Sequence, residues 1–456
     1  MKVVDGTGSP VKTDQTVLID RGRIAAVGPT PIVTLPSDAH LLDLRGRTII
    51  PGLVGMHDHL FYTSDGGSRQ VSVPLSFAHL YLAAGVTSIR TAGTIDLNQD
   101  IAIKREIDAG REVGPKIHLS SPYLTAAPSI EALLRVIDTV ADAGVTSLKA
   151  ATDLRRDELS AAIGAAHRRG LKVTGHLCAV GFRQAASVGI DNLEHGLIVD
   201  TEFYSRKVAD QCPNWEAAVA ELATMDIKSE PIQGTIRALV ERGVAITSTL
   251  AIFETFTGRA TFTDRQIEPL LNWRGRLGYR KMAQMRRATL ARQLSVWDQM
   301  LQTEMAFERS FVAAGGLLMA GADPTGWGGL LAGFGDQRNV ELLVEAGFSP
   351  EQAIQIASAN GAKFLGESER IGTIERGKQA DLVVLRGDLA SDVNAIRHVE
   401  VVFKDGVGLN PGPLIEAEQG RVGPSSVKEF IIVGLAVGTF LVLIGRRYVR
   451  RRRQHS

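Results

Sequence analysis

Two histidines lie one residue apart in GMHDHL, residues 55–60, at the end of the apolar run TIIPGLV. Side chains alternate along a strand, so His57 and His59 point to one side and Asp58 to the other. Two imidazoles aimed at one spot can chelate a metal ion, although the same spacing also serves paired structural histidines. Further donors stand at the ends of other apolar runs: Lys149 after VTSL, His176 after KVTG, His195 after NLE and Asp323 after MAGA. Four of the ten histidines fall at such positions, which favours a common purpose over four separate structural roles. Cysteine is no alternative donor, because Cys178 and Cys212 are too few for a disulfide framework or a thiolate zinc cluster. Any metal here must be held by His, carboxylate or a modified side chain.

The runs that carry these residues alternate with helix-like stretches. Strand-like segments at the run before His57, 86–92, 116–121, 145–150, 171–177, 190–196, 244–250 and 315–323 are each followed by a stretch with helical spacing or a longer, more polar segment. Eight such units predict an α/β fold, a parallel (β/α)8 TIM barrel, whose active site forms at the C-terminal ends of the strands. All six donor positions are strand ends of that kind. TVLIDRGRIAAVG near the start and VEVVFKDGV near the end read as hairpins. The predicted organisation is a small β-sandwich built from residues 1–50 and 367–407, with the barrel, 51–366, inserted between its halves. A linker, 408–429, follows.

The composition is globular, with 456 residues, 44% hydrophobic and 22% charged, and a net charge of +1 that gives no argument for nucleic acid. The C-terminus is different. Residues 430–445, FIIVGLAVGTFLVLIG, carry no charge and precede six arginines: Arg446, Arg447, Arg450, Arg451, Arg452 and Arg453. This predicts a transmembrane helix over 430–449 with a basic tail, 450–456, anchoring the chain in membrane lipid. Arginine excess then lies in the cytoplasm and the catalytic domain outside. That placement calls for an export signal upstream of Met1, since MKVVDGTGSP has no apolar core; a cytoplasm-facing tail anchor is the alternative.

The ordered set VVDGTGSPV, IDRGRIAAVG, IIPGLVGMHDHL, AGVTSIRTAG, LKVTGHL, DNLEHG, the AGAD strand, IGTIERGKQADLVVL and VVFKDG resembles the amidohydrolase superfamily over residues 3–407. The likeness is to its imidazolonepropionase-related and Xaa-Pro dipeptidase-like branch. It implies two divalent metal ions, zinc foremost, held by His57, His59, Lys149, His176, His195 and Asp323. It also implies that Lys149 carries a carbamate derived from carbon dioxide, which bridges the ions. A buried lysine shifts toward the neutral amine that such chemistry needs; a lysine salt-bridged to Asp153 or Asp157 is the plainer reading. Asp323 is then the catalytic proton carrier.

The expected reaction is metal-dependent hydrolysis of a small amide, a dipeptide or N-acyl amino acid. A cyclic-amide or lactone hydrolase with the same centre and a membrane-tethered, non-enzymatic binding protein are the alternatives, and a homo-oligomer stays open. Two departures from the family pattern bear on substrate: Thr91 stands where many relatives have Asp, and the third strand is followed by the short SSPYLTAAPS. Tyr123 within it is a candidate substrate contact, with a packed tyrosine as the alternative. Arg90, Glu194 and Asp58 read as supporting groups, and the tryptophan-bearing stretch 199–311 as the pocket wall.

Overall fold

The structure is a computed structural model that describes residues 1–259, 264–290 and 294–424. Its centre is a ring of parallel strands: β1 (Leu53–Asp58), β2 (Val86–Thr91), β3 (Lys116–His118 and Ser120–Leu124), β4 (Ser147–Ala150), β5 (Lys172–Gly175), β6 (Asn192–Glu194), β7 (Ala245–Ser248) and β8 (Leu318–Ala320). The first half of β3 pairs with β2 and the second half with β4. Every residue of β1 and β2 is buried, as expected where helices cover a parallel sheet. The ring closes where the Asp323 amide donates to the His57 carbonyl at 2.8 Å and the Ala322 amide to the Asp58 carboxylate at 3.2 Å. Gly321 permits this approach, since a Cβ there would lie 2.3 Å from the His57 nitrogen.

Crossover helices α1 (Pro74–Ala83), α2 (Leu97–Asp108), α3 (Ile130–Asp142), α4 (Arg156–Arg168) and α5 (Phe182–Ser187) follow β1 to β5 in turn. α3 shows the local logic. Ser129 caps it by accepting from the Ala132 amide at 3.2 Å, and Leu133, Ile137 and Val140 recur at helical spacing on its buried face. After β6 come α6 (Trp215–Leu222) and α7 (Glu230–Glu241). The excursion between β7 and β8 holds α8 (Leu250–Glu254), α9 (Asp264–Leu270), α10 (Trp273–Leu290) and α11 (Leu294–Ala313), and α12 (Phe334–Glu345) follows β8.

Strands from both ends of the chain form a separate sheet in the order Lys2–Val3, Arg47–Pro51, Leu382–Arg386, Val399–Lys404, Val407–Leu409. The hairpin Gln15–Asp20 and Arg23–Pro29 packs over it, with Val3, Ile24, Ile49, Leu382 and Val384 in the shared core. Arg21 and Gly22 turn this hairpin at φ 46° and 78°, and Asp405 and Gly406 turn the C-terminal one at 53° and 81°. Two consecutive positive φ values match the right-handed twist of the flanking strands. Pro51 and Gly52 mark the passage from this sheet into the barrel.

Two expectations are corrected. Among the described residues no helix is long and apolar enough to cross a membrane, and 430–449 lie outside them. The transmembrane helix, and the extracytoplasmic or tail-anchored placement built on it, are not supported. The 16-residue run is itself shorter than the roughly 17–20 apolar residues a span needs. The long described helix α11 carries Asp298, Glu304, Glu308 and Arg309. The two cysteines, in turn, are not independent: Cys178, after β5, is disulfide-bonded to Cys212, before α6, with Cα atoms 5.0 Å apart.

Candidate metal centre

The C-terminal ends of β1, β4, β5, β6 and β8 bring His57, His59, Lys149, His176, His195 and Asp323 to one end of the barrel. Five of the six, all but His195, line a cleft of about 190 Å³ together with Tyr123. His57, His59 and Asp323 offer donor atoms that all lie within 4.8 Å of one another. His57 Nε2 is 3.7 Å and His59 Nε2 3.2 Å from the Asp323 carboxylate, and His195 Nδ1 is 3.9 Å from it. His195 Nε2 faces His176 Nδ1 at 3.0 Å.

The tautomers of the first pair follow from their partners. His57 donates from Nδ1 to Glu194 Oε2 at 2.9 Å, and His59 donates from Nδ1 to the Gly93 carbonyl at 3.2 Å. In the neutral rings both Nε2 atoms then carry lone pairs, and both face a carboxylate that can only accept. Burial, with Lys149 next, lowers the His57 pKa to about 4 and the His176 pKa to about 3. Burial and the neighbouring His176 hold His195 well below the usual histidine range. Burial opposes charge on Asp323, but the surrounding imidazoles, His57 foremost, keep its carboxyl well below the ordinary carboxylate value. Acceptor thus confronts acceptor, an arrangement that a divalent cation among them would make favourable. The donor set fits such an ion.

Lys149 is fully buried, and burial lowers its pKa, with Arg90 adding to the effect. Its Nζ makes no hydrogen bond and lies 3.4 Å from Glu194 Oε1; its ion-pair neighbour is therefore Glu194, not Asp153 or Asp157. Glu194 also accepts from Arg90 at 2.9 Å. Burial works against its charge, and Arg90, Lys149 and His57 together overcome this and hold its carboxyl well below the ordinary range. Tyr123 stands at the cleft, its ring 6.5 Å from His59, and burial pushes its phenol pKa up. Thr91 does not join the donors; its hydroxyl accepts from the Ser120 amide at 2.8 Å, where β3 changes partners.

Supporting groups that sequence reasoning missed surround these. The Tyr81 hydroxyl accepts from the His59 amide at 3.1 Å and donates to the His59 carbonyl at 3.0 Å. Thr249 hydrogen-bonds His195 Nδ1 at 2.8 Å. Glu304, buried on α11, accepts from the Ile198 amide at 2.7 Å. His195 and Asp323 themselves sit at φ 74° and 46°, backbone that costs roughly 1–2 kcal/mol each outside glycine and clusters at functional sites.

Comparison with known proteins agrees with this architecture. Residues 321–408 match the profile described as "Amidohydrolase family". The enamidase of Eubacterium barkeri is 26% identical over 208 residues, covering 42% of this chain and 52% of the enamidase. The imidazolonepropionase of Vibrio cholerae is 40% identical over 62 residues, 14% of each chain. The chain therefore spans about half, or less, of the length of these relatives. Among solved structures, a Xaa-Pro dipeptidase with bound methionine in its active site superposes with a TM-score of 0.65 at 20% identity, covering 90% of this chain and 98% of the other. Molinate hydrolase superposes with a TM-score of 0.67 at 17% identity, covering 93% and 96%; at such identities these likenesses speak for the fold. The family profile covers residues 321–408, these relatives share sequence with parts of the chain, and the likeness over its whole length is one of fold.

Proposed function

We propose that this protein is a metal-dependent hydrolase of small amides, a dipeptide or an N-acyl amino acid. The observation that carries the reading is the acceptor-against-acceptor convergence of His57, His59 and Asp323 beside His176, His195 and a buried Lys149 whose Nζ makes no hydrogen bond. His57, His59, Lys149, His176, His195 and Asp323 would hold two divalent cations, zinc foremost, with Lys149 as its carbamate. When bound, such cations polarise the scissile carbonyl and lower the pKa of a water into the neutral range.

The remaining work falls to side chains of the chain. Glu194 fixes the His57 ring by accepting its Nδ1 proton. Asp323, ionised and at the edge of the cleft, takes a proton from the attacking water and passes it to the nitrogen of the leaving amine. Water addition thus places oxygen on the acyl carbon and hydrogen on the amine. Tyr123, whose phenol stays protonated, donates a hydrogen bond to a substrate oxygen.

One observation favours a second reading, a cyclic amide or lactone. Among the described residues that line the cleft, Lys149 is the only Lys or Arg, so none of them offers a guanidinium to a free substrate carboxylate. A hydrolysis screen of dipeptides, N-acyl amino acids, cyclic amides and lactones on zinc-loaded protein separates the two. Activity is expected to vanish on chelation, and Asp323→Asn to lower kcat by about 10²–10⁴ while the protein stays folded. Equal turnover with and without chelator would sink the metal-dependent reading.

A further inference from the structure

His176 borders two cavities. One is the catalytic cleft; the other, of about 270 Å³, is walled by Thr152, Cys178, Val199, Cys212 and Trp215. The two differ in chemistry. The cleft presents imidazoles, carboxylate and hydroxyls, whereas the second cavity is apolar apart from Thr152 and the edge of His176. An apolar cavity of about 150 Å³ suffices for a benzene ring. This annex therefore has room for an aryl or branched alkyl group.

Its walls are held in place. The disulfide ties the loop after β5 to the loop before α6. The Cys178 carbonyl accepts from the Thr201 hydroxyl at 2.6 Å and from the Lys207 ammonium, which also donates to the Gln211 carbonyl at 2.7 Å. Trp215 leans on Trp297, 5.1 Å between ring centroids, and on Phe256, 5.9 Å. A pocket wall braced on both sides can be filled without ordering it first, which favours binding.

The geometry also assigns an end of the substrate. Asp323 lies within 4 Å of His57, His59 and His195, and no such approach joins it to His176. The leaving nitrogen must sit at Asp323 to receive its proton. The acyl substituent then points away from Asp323, toward His176 and the annex. Resting on the amide-hydrolase reading above, we propose that the acyl half of the substrate carries a bulky apolar group, aryl or branched alkyl, seated between Trp215 and the Cys178–Cys212 disulfide.

Two arms test this. Zinc-loaded protein is assayed on N-phenylacetylglycine and N-acetylglycine, which share a leaving group. The ratio of their kcat/KM values is expected to favour phenylacetyl by roughly tenfold or more, and Trp215→Ala, or Val199→Phe as a cavity-filling second variant, should collapse that ratio. Metal-stripped protein is titrated with phenylacetate and acetate while tryptophan fluorescence is followed. Phenylacetate alone should perturb the emission, and Trp215→Phe should abolish the change. Hydrolysis of both substrates without preference overturns the annex and leaves the hydrolase reading standing. Hydrolysis of neither counts against the hydrolase reading, and the phenylacetate titration then decides the annex by itself: no fluorescence response overturns it.

Discussion

Glu194 is the residue on which the centre's charge balance turns. One oxygen takes the His57 proton, the other takes Arg90, and Lys149 stands 3.4 Å away, all of it out of water. Glu194→Gln keeps the shape and removes the charge. The amide would set a donor against the His57 N–H or the Arg90 guanidinium, and Arg90 would lose its counter-charge. Breaking a buried pair in this way costs about 3–5 kcal/mol. Loss of a group that orients a ligating histidine lowers metal affinity about 10–100-fold. Elemental analysis after dialysis against a weak chelator, alongside urea denaturation, reads both. A variant that keeps its full metal complement would show that Glu194 does not orient His57.

In the turn after β6, His195 and Gly196 take φ values of 74° and 81° in succession. A Cβ at Gly196 would lie 1.9 Å from Glu304 Oε1, and the other Glu304 oxygen accepts the Ile198 amide. α11 thereby grips the loop that presents His195. Gly196→Ala adds both the positive-φ penalty, roughly 1–2 kcal/mol, and a collision with a buried carboxyl. The expected result is a lower thermal midpoint and a reduced metal content, read by calorimetry and elemental analysis; an unchanged midpoint would refute the grip. None of this was legible in the sequence. Glu304 and Glu308, four apart on a mixed helix, look like a solvated face, and Glu304 meets Ile198 across 106 residues. The Cys178–Cys212 bridge likewise depends on two loops that only the closed barrel brings together. What could be read was local. His57, Lys149, His176, His195 and Asp323 each end an apolar run, and alternation fixes which way a strand-end side chain points. The RG and DG turns were readable because two-residue hairpins demand positive φ at both positions. The apolar run at 430–445 suggests a span through its lack of charge, its arginine flank and its terminal position, and it lies outside the described residues.

Across the whole molecule, several carboxyls are buried without a positive partner, and this gives global stability a pH dependence of known sign. Asp58 faces Asp336, Glu304 faces Glu308, and burial raises all four above the ordinary range, Asp336 to about 7 and Glu308 to about 8. Glu308 is the cleanest to test, since it is fully buried, no ion pair is formed by it among the described residues, and only the Ser248 hydroxyl works against the effect of burial. Its pKa is about 8 in the folded chain against an ordinary 4.5, so the folded state holds the proton more tightly than the unfolded one. Its contribution to stability is therefore fully present below about pH 4.5 and is lost as pH rises toward 8. Glu308→Gln never ionises and escapes that loss. Urea denaturation of metal-stripped protein from pH 5 to pH 9 should find the variant more stable than the parent. The margin should widen with pH to a few kcal/mol, at about 1.4 kcal/mol per unit of pKa difference. Parallel stability curves would mean that Glu308 ionises inside the fold without cost, which a fully buried carboxyl lacking a counter-charge cannot do unless water reaches it.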